Sequence, residues 1–213
     1  MKRLLGLGVV AASLVAPFCW APRSEPALPV HRAPDGSQRV LRTVDDVVEA
    51  CTDSGLDGWE LVDLATGMVN SMMTHYSCWH LWLTPERALA AGHGSGIQYN
   101  LALRQVLRRL GYRVRAVHAS RVRLEHHPWY HVGHTWLHVT HAGRTLDVCA
   151  SRPGNRAGHV AFVPVTEVRP FRAITLVDQT VVLAPIVAAS VWRSTILRRP
   201  VERWVYRPFG ESA

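Results

Sequence analysis

With 213 residues, 48% of them hydrophobic, the chain is long enough for a real core and too apolar for a disordered one. Charged residues make up 19%, the net charge is +8, and Lys2 is the only lysine, so the excess rests on scattered arginines. No zinc-finger, RNP-type or basic-zipper pattern accompanies that charge, which sets nucleic-acid binding aside. Four cysteines with no CxxC pair, one of them in the N-terminal segment, set aside a disulfide scaffold.

Residues 1–21 open with Lys2 and Arg3 and continue into an apolar run from Leu4 to Phe18. That order matches a signal sequence or membrane anchor, and the run is short for a full span. The expectation is an exported or membrane-anchored protein with membrane contact through this segment; a cytoplasmic location follows if the run is instead a core element. Residues 22–42 are rich in Pro, Arg and Ser and read as a linker. The folded domain is expected over 43–213.

Thr43 can cap a helix whose Val44, Val47, Val48 and Cys51 share a face. Leu61, Leu64, Met68 and Met72 predict a second helix ending near His75. Thr84 and Pro85 suit the start of a short third one. The stretch "GHGSGIQYNLALRQVLRRLG" predicts a helix from Gly96, with Ser95 as N-cap. Ile97, Leu101, Leu103, Val106, Leu107 and Leu110 supply its buried side, and Gly111 its end. "YRVRAVHASRV" alternates as a strand, and "GHTWLHVTHAGRTLDVCAS" reads as a hairpin turning at Ala142-Gly143. "HVAFVPV" adds a strand. The apolar stretch from Ile174 to Trp192 is interrupted by Asp178 and Pro185 and is expected to pack against the domain rather than to span a membrane. Helices followed by antiparallel strands predict an α+β fold with a central helix packed on a sheet.

A two-residue turn makes the residue numbers of opposed pairs sum to 285. His138 then faces Asp147, Trp136 faces Cys149 and His134 faces Ser151, all on one side of the sheet.

Between Tyr76 and Ser151 the chain resembles the transglutaminase-like superfamily, with its papain-like core. The resemblance rests on the helix running into "LGYRVRAV", on His134-Thr135-Trp136, and on Asp147-Val148. "GIQYN" and "DVCA" also resemble the arylamine N-acetyltransferase branch, with Gln98 and Asn100 in the places of its Glu and Asn. The resemblance implies a cysteine nucleophile opening the central helix, a histidine on the following strand and an aspartate on the next. It assigns His134 and Asp147 to catalysis and Gln98, Asn100 and Trp136 to binding, and the hairpin register adds His138 to the binding residues. It implies a peptide, amine or acyl ligand and no cofactor.

The nucleophile's position falls on Gly96, which offers neither thiol nor proton, so covalent acyl transfer from that place is impossible. Two readings stay open. The chain has lost thiol catalysis and binds or scaffolds, with the missing Cβ at Gly96 widening a pocket. Alternatively it is an acyltransferase or amidase whose nucleophile has moved, with Cys149 the foremost candidate; Ser95 and Cys78 are weaker ones. The partner of Asp147 is also open: the family pattern selects His134, the hairpin register His138. The histidine-rich run from His126 to His141 lacks an HExxH or Cys/His frame, and no bound metal is expected.

Overall fold

The computed structural model describes residues 11–13, 15–16, 19–125 and 127–211. It is a mixed α+β molecule in which a curled, antiparallel five-stranded sheet packs against helices. Strands β1 (Val30–Arg32) and β2 (Gln38–Val40) pair as a small hairpin inside the 22–42 segment. Helices α1 (Val44–Asp53) and α2 (Gly58–Ser71) follow, then β3 (His75–Ser77), α3 (Pro85–Ala91) and β4 (His93–Gly94). The central helix α4 (Gly96–Arg109) leads into β5 (Arg113–Leu124), β6 (His127–His141) and β7 (Arg144–Val148). Short strands β8 (Phe162–Pro164) and β9 (Arg169–Pro170), the long helix α5 (Ala173–Ile196) and β10 (Tyr206–Pro208) complete the order.

The helix starts follow local chemistry. Thr43 Oγ1 accepts from the Asp46 N–H while the Asp46 carboxylate accepts from the Thr43 N–H, a reciprocal cap. Thr84 caps α3, with Pro85 in its first turn. α2 stops at Ser71, before the expected end near His75, because His75 is already paired in β3.

The sheet runs β7-β6-β5-β8, with β9 also on β5. The β6–β7 turn has positive φ at both Ala142 (48°) and Gly143 (76°), the backbone that matches the strand twist. The register pairs His138 with Asp147 and Leu137 with Val148, as the sum of 285 requires, and the ladder ends there. Register shifts in β5 after Ala119 and after Arg123 bend the far half of the sheet.

The core lies between sheet and helices. Leu103, Val106 and Leu107 of α4 meet Val114, Ala116, Leu137, Val139 and Val148, with Val47 and Val62 of the preceding helices in the same cluster. Burying each such side chain is worth roughly 1.5–3 kcal/mol. A second cluster, around Trp136, Cys149 and Phe162, fills the curled end of the sheet.

The C-terminal half of α5 enters a third cluster, where Val187 and Val191 join Cys78, Trp79 and Val205. Its N-terminal half does not pack as the sequence led us to expect. Ile174, Val177, Val181, Val182 and Ile186 are exposed, and Thr180, Val182 and Leu183 border a cavity instead of entering the core.

Beside the small sheet the His80 and His93 rings stack with centroids 3.8 Å apart. Ser77 Oγ lies 2.7 Å from His80 Nδ1 and Ser24 Oγ 2.5 Å from His93 Nδ1. Burial, reinforced by the neighbouring charge of His93, pushes the His80 imidazole down to about 4. The unfolded chain, with an ordinary histidine near 6.5, therefore binds more protons between the two values. Stability should be full above about pH 6.5 and fall, by on the order of 3 kcal/mol, as pH drops toward 4. Urea unfolding across that range is expected to show the slope, and His80→Phe to flatten it. An unchanged slope in the variant would contradict the assignment.

Candidate functional site

The site lies where the start of α4 meets the beginning of the β6–β7 pair. Ser95 precedes the helix in extended backbone, and its N–H donates to Gln98 Oε1 at 2.7 Å. The Gln98 amide also donates to the His80 and Leu83 carbonyls at 3.0 and 2.8 Å, and the side chain is buried. Gln98, expected to bind ligand, is thus engaged in holding the loop before α4. Gly94 lies against it: a Cβ there would stand 2.9 Å from Gln98 Oε1, so the turn admits only glycine without a shift.

Gly96 opens the helix, and no acidic residue stands in the first turn to offset the positive helix end. A Cβ at Gly96 would lie 3.6 Å from His134 Cε1, 4.0 Å from His134 Nδ1 and 3.9 Å from Ser151 Cβ. Position 96 therefore faces one edge of the His134 imidazole with room for a side chain.

The other ring nitrogen of His134 meets a thiol. Nε2 is 3.3 Å from Cys149 Sγ, which also receives Asn100 Nδ2 at 3.4 Å and lies 3.0 Å from Ser151 Oγ. Burial pushes the Cys149 thiol up, but the charge of His134 and hydrogen bonds from His134 and Ser151 outweigh it and hold the thiol below its ordinary value. The other core cysteines behave oppositely: burial alone drives Cys51 to about 12 and raises Cys78. Cys149 is nonetheless fully buried.

Cys149 reaches His134 because the chain leaves the ladder after Val148. Three asparagines hold the departing backbone. Asn100 Oδ1 accepts from Ala150 N–H at 2.9 Å, Asn70 donates to the Ala150 carbonyl at 2.7 Å, and Asn155 to the Cys149 carbonyl at 3.0 Å. Asn100 ties the cluster further, donating to the Gly96 carbonyl at 3.0 Å and the Thr135 carbonyl at 2.8 Å.

Asp147 does not partner His134. Its Oδ1 accepts from His138 Nε2 at 3.0 Å and Trp136 Nε1 at 2.7 Å. The His138 hydrogen bond is the main cause holding this carboxyl below its usual range, against partial burial and with help from Trp136. The reason is register: directly opposed residues share a pair, and His134 stands four residues from His138 along β6. Trp136 is buried between the two histidines, parallel to the His134 ring at 6.1 Å and edge-on to His138 at 6.3 Å.

A cavity of about 930 Å³ opens over Gly96, His134 and Ser151. Ile97, Phe162 and Leu183 contribute apolar walls. Ser95 and Cys78 also border it, while Cys149 lies beneath its surface, on the far side of the imidazole.

Among the described residues no group of three His, Cys, Asp or Glu side chains converges as a metal site. His126 lies outside the described residues, while His141 packs edge-on against Trp59, remote in role from His134 and His138. No family model and no curated protein matches the chain.

Proposed function

We propose that this is a transglutaminase-like domain protein that has lost thiol catalysis at the helix start and binds a peptide, amine or acyl ligand in the cavity beside Gly96. The observation that carries the reading is the pairing of an empty position 96 with a retained imidazole edge 3.6 Å away. In a nucleophile–base–orienter arrangement the imidazole serves the nucleophile with one nitrogen and is held by a third group through the other. Here glycine occupies the first place and Cys149 the third. When the Cys149 thiol donates to Nε2, the imidazole proton lies on Nδ1, which leaves His134 a donor of hydrogen bonds toward position 96 rather than a base. A carbonyl or carboxylate oxygen at position 96 would meet that donor and the positive end of α4.

Ligand-observed NMR with butyrate, an N-acetyl amino-acid amide and an arylamine tests the reading. At least one of these probes should bind the wild type, and Gly96→Phe, which fills the space beside His134, should weaken it about tenfold or more. Equal binding to both proteins places the ligand elsewhere and contradicts the reading.

The contact between Cys149 and His134 favours a second reading, in which Cys149 is the relocated nucleophile of an acyltransferase or amidase. Its lowered thiol pKa supports this, and its complete burial opposes it, since His134 and Ser151 line the cavity and the sulfur does not.

A further inference from the structure

We propose that the cavity beside Gly96 takes an acyl carboxylate, an aliphatic chain with an anionic head, and that Arg152 binds the head. The inference rests on the reading of this cavity as the ligand site and names the class of ligand. Arg152 and Arg207 line the cavity together with one acid, Glu211. Glu211 is already paired with Arg203. Arg207 lies 4.4 Å over the Tyr76 ring and donates to the Arg203 and Glu211 carbonyls, each at 3.0 Å. Those bonds hold the side chain in place but give its charge no carboxylate. Arg152 has less still. It is partly buried, and among the described residues its guanidinium has no hydrogen-bond or ion-pair partner. Burial pulls this group below its ordinary value; the charge of the exposed Glu125 acts the other way without forming an ion pair. A cation partly stripped of water and lacking a counter-ion gains from an anion that supplies both charge and hydrogen bonds.

Position and lining select the rest of the ligand. Arg152 follows Ser151, whose Cβ lies 3.9 Å from where a Cβ would stand at Gly96. Arg152 thus springs from the wall next to the start of α4, whose positive end adds to the same preference for an anion. Ile97, Leu124, Val132, Phe162, Val182 and Leu183 offer aliphatic and aromatic surface to the body of the ligand. At about 930 Å³ the cavity has the size that encloses a small organic molecule. An amine suits this lining poorly. The carboxylate of Glu211 is taken by Arg203, and the charges of Arg152 and Arg207 repel a cation.

Calorimetric titration of the full chain with octanoate, octanamide and octylamine tests the assignment. The probes share one chain length and differ in the charge of the head. Octanoate should bind the wild type at least about tenfold more tightly than octanamide, and octylamine more weakly than either. Arg152→Gln should lose about tenfold in octanoate affinity and keep its affinity for octanamide, a selective loss that damage to the fold would not give. Gly96→Phe should weaken both. Octanoate bound no better than octanamide, or bound equally by wild type and Arg152→Gln, overturns the carboxylate assignment; octanamide binding that Gly96→Phe still weakens then leaves the cavity reading standing. Failure of all three probes also overturns the assignment. The cavity reading falls with it only when butyrate, the N-acetyl amino-acid amide and the arylamine fail as well.

Discussion

The Gly96→Cys variant, in a Cys19→Ser background, is expected to be alkylated by iodoacetamide near neutral pH at least ~100-fold faster than Cys149 of the parent protein. Cys19 is removed because it is exposed and would react on its own. The new Cβ has room, with its nearest neighbour His134 Cε1 at 3.6 Å. The thiol would sit at the start of a 14-residue helix with no acid in its first turn, beside an imidazole edge; both favour the thiolate. Cys51, Cys78 and Cys149 are buried and should react slowly, whatever their pKa. Acyl transfer need not appear, because positioning a thiolate is only part of binding a transition state. Peptide mapping of the alkylated protein reads the result. A slow thiol at position 96 would mean that the space beside His134 closes when filled, and that the glycine is a packing requirement.

Asn100→Leu should cost about 3 kcal/mol, or roughly 10 °C in melting temperature. The volume is nearly kept, but the Ala150 N–H loses its acceptor and the Gly96 and Thr135 carbonyls lose a donor, all inside the protein. Because Asn100 also holds the backbone that presents Cys149, the variant should expose that thiol to alkylation in the folded state. A loss below about 1 kcal/mol with Cys149 still protected would show that Asn70 and Asn155 suffice as the clamp.

Much of this arrangement was legible in the residues themselves. The dipeptide Ala142-Gly143 sets a two-residue turn, and from it the His138–Asp147 pairing follows by arithmetic. The family pattern pointed to His134 instead, and register decided between them. Helix α4 was legible from its apolar spacing and its Ser95 and Gly111 boundaries. The contact between His134 and Cys149 was not, although Cys149 had been singled out. It depends on the chain leaving the ladder at Val148 and on Asn70 and Asn155, which reach it from 80 and 6 residues away without any motif. Gln98 and Asn100 read as ligand contacts by analogy, yet all of their observed hydrogen bonds are internal. The exposed half of α5 escaped notice for another reason. Aliphatic composition cannot distinguish a helix buried in a core from one that borders a cavity with its other face in solvent.

Loss of thiol catalysis requires that no cysteine of the wild type carry an acyl group. Intact-mass spectrometry after incubation with p-nitrophenyl acetate, followed by peptide mapping, tests this directly. No thioester is expected on Cys51, Cys78 or Cys149 of the wild type, and the same background labelling is expected in wild type and Cys149→Ser. A thioester on Cys149 that forms faster than background and vanishes in Cys149→Ser would contradict the loss of thiol catalysis, and would make the buried thiol beside His134 the working nucleophile.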